Sequence, residues 1–171
     1  MCSIRAVLFD VGNTLCHIQY GVIAKALTAA GFSATLEEVR QAEYRVRPIL
    51  DRFLSEGRDT TTAIPSQSIV DRPQSQSGGR STETPDTFRY YLMLILRELK
   101  IEAGLFMEPI LAELRAYHVR NDLWSYRDEA ALPVLQSLKE SGYLLGVISN
   151  SDGQVERLLQ RVSLAEHFDF I

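Results

Sequence analysis

The stretch Val7-Leu8-Phe9-Asp10-Val11-Gly12-Asn13-Thr14-Leu15 constrains this chain more than any other. A continuous apolar run of this length reads as a strand buried in a parallel sheet, and it ends by delivering one carboxylate, Asp10, onto a glycine-containing turn. Ligands of such sheets sit beyond the carboxyl ends of the strands, so Asp10 stands where chemistry is usually done. The residue type alone leaves three roles open: nucleophile, metal ligand or turn former.

The 171 residues, 46% hydrophobic and 23% charged, are enough to bury a core. A net charge of −4 without a basic block argues against nucleic acid or an anionic membrane as partner. Cys2 and Cys16 match neither a disulfide framework nor a zinc pattern and read as free thiols in a reducing compartment. Asp10 interrupts the first apolar run before it could serve as a cleavable leader, and no later run has membrane-spanning length. A cytoplasmic protein is the expectation.

Along the chain, residues 4–9 read as the first strand and 20–30 as a helix closed by Gly31. Thr35 and Glu38 form a capping box opening a long helix to about Gly57. Residues 58–83, rich in Ser, Thr, Gln, Pro and Gly, read as a mobile loop. Pro85 and Glu108-Pro109 open two more helices. A helix carrying Leu132, Leu135 and Leu138 stops at Gly142, residues 143–148 form a second apolar strand, residues 155–162 a helix, and 168–171 the start of a third strand. The alternation predicts an α/β fold: a parallel sheet core from residues 1–17 and 123–171, with an all-helical insertion over 18–122.

Asp10 and Ser149 each lie just past an apolar strand, and in adjacent parallel strands such ends open on one crevice. Asp10-Val11-Gly12-Asn13-Thr14, together with Gly146-Val147-Ile148-Ser149-Asn150 and the approach to it from Trp124, resembles the haloacid dehalogenase-like hydrolase superfamily. The resemblance implies a Rossmann-like core with the helical insertion as cap. It implies Asp10 as nucleophile toward a small phosphorylated substrate, through an aspartyl-phosphate. Mg²⁺ would be held by Asp10 and the backbone carbonyl of Gly12. Ser149 and Asn150 would bind the phosphoryl oxygens, and Thr14 would brace the turn.

Two departures accompany the resemblance. Family phosphatases carry a second Asp two residues after the nucleophile as general acid, and Gly12 stands there instead. The family's third motif, a basic residue, and its fourth, an acidic pair, are not recognisable in these 171 residues. A C-terminally truncated core is therefore expected, its first strand an open apolar edge that leaves the chain either self-associating or marginally stable. Two other functions stay open: a catalytically impaired relative that binds a ligand or partner without turnover, and a dehalogenase or phosphonate-cleaving enzyme. Cys16 reads as a packing residue, Asp169 as structural, His17, His118 and His167 as surface positions, Arg45 and Arg47 as a solvated helix face, and Phe88, Tyr90 and Tyr91 as packing within the insertion.

Overall fold

The opening apolar run forms β1 (Ala6–Phe9), which pairs in parallel with β4 (Leu144–Val147), Ala6 opposite Leu144 and Phe9 opposite Val147. This is a computed structural model that describes residues 4–56, 85–101, 104, 106–149 and 153–171. The two-residue period of a strand divides the pair into two faces. Val7, Phe9, Leu145 and Val147 pack with Leu135, Leu159 and Leu164 against α5 (Ala131–Glu140) and α6 (Val155–Arg161). The opposite face carries Leu8, Leu144, Ile148 and Phe170, each roughly half exposed. Among the described residues β1 pairs with β4 alone, so its outer edge keeps its backbone groups unpaired.

The third strand expected from residue 168 onward is reduced to a single parallel bridge, Gly146 to Phe170, on the far side of β4. Asp169 anchors the segment beside β4. Its N–H donates to the Leu145 carbonyl at 2.7 Å, while its carboxylate accepts the Leu145 N–H at 2.7 Å and the Lys139 ammonium at 2.6 Å. The Phe170 carbonyl adds one more bond, accepting the Val147 N–H at 3.1 Å. Phe170 lays its ring over Gly146, where a Cβ would collide with it.

Four helices make up the insertion: α1 (Tyr20–Ala29), α2 (Leu36–Glu56), α3 (Pro85–Glu98) and α4 (Met107–Asn121). Their apolar stripes converge on Ile23, Leu27, Leu92, Ile95, Ile110 and Leu114, a buried group that shares no member with the one beneath the sheet. The capping box forms as expected, with the Glu38 N–H donating to Thr35 Oγ1 at 3.2 Å and the Thr35 N–H donating to the Glu38 carboxylate at 2.7 Å. Gly31, at φ +86°, closes α1 in the left-handed conformation that glycine adopts without penalty. Pro48 lies inside α2 and removes one helical donor, yet the helix continues because Val46 and Leu50 are buried on either side of it. The loop expected over 58–83, like Cys2, lies outside the described residues.

A second small sheet clamps the two passages between the units. β2 (Cys16–His17) pairs antiparallel with β3 (Tyr126–Arg127), Cys16 opposite Arg127 and His17 opposite Tyr126. Flanking bonds extend it: the Asp128 N–H donates to the Leu15 carbonyl at 2.9 Å and the Gln19 N–H to the Leu123 carbonyl at 2.7 Å. Among the described residues no helix is long and apolar enough to cross a membrane.

Candidate active site

The register of β1 with β4 decides where the polar residues after each strand emerge. Beyond the Phe9–Val147 pair, the Ile148 N–H donates to the Phe9 carbonyl at 2.9 Å, so both chains are still side by side as they leave the sheet. Asp10 follows Phe9 directly, and Ser149 follows Ile148. Both therefore stand at one edge of the sheet, on strands spaced about 4.8 Å apart. The Asp10 side chain is exposed and that of Ser149 partly so, and neither makes a hydrogen bond or ion pair to a described residue. Asn150 lies outside the described residues.

The turn after Asp10 is built by backbone. The Val11 carbonyl accepts the N–H groups of Thr14, Leu15 and Cys16 at 3.3, 3.0 and 2.9 Å, and the Asn13 N–H donates to the Cys16 carbonyl at 2.7 Å. Asn13 reverses the chain at φ 59°, a conformation that asparagine tolerates better than most residues. Thr14 is exposed, and its hydroxyl has no hydrogen-bond partner among the described residues. The Gly12 carbonyl is not used by the turn's backbone bonds, and Asn13 Oδ1 is buried without a partner among the described residues.

A hard divalent cation prefers oxygen ligands, and Mg²⁺ is commonly held by one or two carboxylates with substrate oxygens and waters completing the shell. The free Asp10 carboxylate and the free Gly12 carbonyl fit that donor chemistry. Among the described residues no group of three His, Cys, Asp or Glu side chains offers an alternative metal site.

Other residues near the turn fall out of the chemistry or change their part. Cys16 is fully buried; burial and the Asp122 carboxylate push its thiol up to about 12, which leaves no thiolate to act as nucleophile. His17 does not lie on the surface. It is 5% exposed, because β2 tucks it beneath α2, between Arg47 and Asp128. His118 is half-buried against the rings of Phe88 and Trp124. Arg45 is solvated and pairs with Glu98, whereas Arg47 turns inward to the fully buried Glu43. Phe88 and Tyr91 are packing residues as expected. The Glu43–Arg47 pair had a signal in the chain, a carboxylate four residues before a guanidinium. Nothing local foretold that both His17 and Tyr91 would join it.

Residues 4–171 match the haloacid dehalogenase-like hydrolase family. Solved structures of similar fold include a candidate phosphatase from Clostridium difficile, 16% identical with a TM-score of 0.50, covering 100% of this chain and 61% of its own. An L-2-haloacid dehalogenase is 22% identical with a TM-score of 0.52, covering 99% of this chain and 63% of its own. Another dehalogenase is 18% identical with a TM-score of 0.50, covering 99% and 62%. The chain thus spans somewhat under two thirds of the length of these structures. At such identities the likeness is one of fold. No curated protein matches.

Proposed function

The chain belongs to the haloacid dehalogenase-like hydrolase family, and on that premise we propose that it hydrolyses a small phosphorylated metabolite with Asp10 as nucleophile. Ser149 and Asn150 bind the phosphoryl oxygens, Thr14 supports the turn, and the unit over residues 18–122 acts as a cap that sheds water from the site. The observation that carries this reading is the parallel register of β1 and β4, which leaves Asp10 and Ser149 at one sheet edge with no described partner for either side chain.

An Asp10 carboxylate oxygen bonds to phosphorus as the ester P–O bond breaks. The departing oxygen takes its proton from water, since Gly12 carries no acid. Water then attacks phosphorus, its proton passes to solvent, and phosphate leaves with the carboxylate restored. Mg²⁺ would be held by the Asp10 carboxylate and the Gly12 carbonyl, and when bound it supplies the positive charge that lets one anion approach another. The Ser149 hydroxyl donates to the oxygen on which charge accumulates.

A second reading, carbon–halogen cleavage, draws on Gly12: a carboxylate that displaces halide needs no proton donor for the leaving group.

Beryllium fluoride, a mimic of the phosphoryl group, separates these readings when added with Mg²⁺ to the full chain. At a hundredfold excess over its Kd it contributes about 2.7 kcal/mol, which is a rise in Tm of roughly 5–10 °C for a protein of this size. Such a rise, dependent on Mg²⁺ and accompanied by phosphate release from p-nitrophenyl phosphate, is the expected result. Capture without turnover would favour a non-catalytic binder. Halide release from a 2-haloacid, with no beryllium fluoride capture, would favour the second reading and overturn the first.

A further inference from the structure

A continuous path of polar side chains runs from the interior of the helical unit to the α/β unit, and the proposed hydrolysis does not use it. Glu43 in α2 is fully buried. Its carboxylate accepts the hydroxyl of Tyr20 from α1 at 3.3 Å, the hydroxyl of Tyr91 from α3, and Arg47 one turn further along through Nε at 2.6 Å and Nη2 at 2.7 Å. The same Arg47 Nη2 lies 3.1 Å from His17 Nδ1, and His17 Nε2 lies 2.9 Å from Asp128 Oδ2 on the approach to α5.

Hydrogen-bond chemistry fixes the protons along this path. A guanidinium has donors and no lone pair, so Arg47 donates and His17 Nδ1 must accept, carrying no hydrogen. The hydrogen bond from His17 holds the Asp128 carboxyl below the usual carboxylate range, so Asp128 is ionised and can only accept. His17 Nε2 therefore holds the hydrogen, and the ring is neutral. A second proton would have to sit on Nδ1, donor against donor and cation against cation with Arg47.

We propose that His17 is a proton-operated latch between the helical unit and the α/β unit: neutral, it joins Arg47 of α2 to Asp128, and doubly protonated it keeps Asp128 and lets Arg47 go. The groups that face it are Arg47, with Glu43 behind it, from α2; the Tyr20 ring, stacked at 6.4 Å, from α1; Tyr126 opposite it on β3; and Asp128 ahead of α5. Of these, Asp128 welcomes an imidazolium and Arg47 repels it, so protonation changes which partner His17 retains. The latch stands whether or not Asp10 is a nucleophile.

Long-range proton–nitrogen NMR of the full chain tests it, with the His17 ring assigned through bonds. At about pH 8 the expected form is the neutral Nε2–H tautomer. On titration to about pH 5, amide exchange over residues 43–50, corrected for the intrinsic effect of pH, is expected to rise about tenfold with the midpoint of the His17 ring itself. In His17→Gln, which cannot take up the proton, that rise should be absent. An Nδ1–H tautomer or an imidazolium at about pH 8 overturns the proposal. So does an exchange profile that persists in the variant. Should the variant fail to fold, an exchange midpoint in the parent that follows His118 or His167 instead of His17 overturns it equally.

Discussion

Asp10→Asn is expected to bring p-nitrophenyl phosphate hydrolysis down to the uncatalysed background, and Gly12→Asp to move turnover of alkyl phosphates in the opposite direction. An amide oxygen is a poor nucleophile toward phosphorus, and removing a nucleophile that an enzyme uses costs on the order of 10⁶ in kcat. Asn keeps the size of the side chain, and Asp10 is exposed, so the fold should tolerate the change and Tm should hardly move.

Gly12 is the more informative position. A Cβ built there meets nothing within 4 Å, and its φ lies outside the left-handed region, so a side chain enters without strain. A carboxylic acid at this point, next but one to the nucleophile, could protonate a departing alkoxide. General acid assistance is worth typically ~10²–10⁴, and it is needed most where the leaving group is most basic. The ratio of alkyl to aryl phosphate turnover should therefore climb in Gly12→Asp, with p-nitrophenyl phosphate changing little. A ratio that stays put would mean that position 12 does not face the leaving group, and Asp10 would lose its assignment along with it.

These two substitutions act on the part of the molecule that was most legible from the chain itself. An apolar run broken by Asp10, and another broken by Ser149, mark strand ends because a parallel strand must be apolar on both faces while its exit need not be. Gly31 and Gly142, both at positive φ, close their helices where glycine predicts. Thr35 and Glu38 are three residues apart and can be paired by eye. The two-residue strands at Cys16 and Tyr126 carry no such mark. Each is too short for a hydrophobic period, and each exists because the other crosses beside it. The burial of His17 is hidden for the same reason. Its partners stand 30 and 111 positions away, Arg47 and Asp128, and no window along the chain contains all three. Arg47 itself reads as a surface residue until the fold brings two tyrosines to Glu43 and a histidine to Arg47.

That cluster supports the second large effect. Glu43→Ala is expected to destabilise the protein by about 3–5 kcal/mol, the cost of removing one partner of a buried ion pair. Arg47, with its side chain 21% exposed, would keep its charge facing a void, and the buried hydroxyls of Tyr20 and Tyr91 would lose their acceptor. The Coulomb attraction between Glu43 and Arg47 is not the source of so large a figure, because much of it only repays the cost of taking both charges out of water. Stranding the remaining groups is. The distinction can be measured: Glu43→Met combined with Arg47→Leu removes both charges and roughly preserves volume, and it should recover the part of the loss owed to the stranded guanidinium while keeping the part owed to the two tyrosine hydroxyls. Denaturant unfolding of the parent, the single variant and the double variant reads this directly as three midpoints at similar slope. A double variant as unstable as Glu43→Ala would show that the stranded guanidinium is not the source of the loss. A single variant within about 1 kcal/mol of the parent would show that water reaches Glu43, and that the interior of the helical unit is wetter than its packing implies.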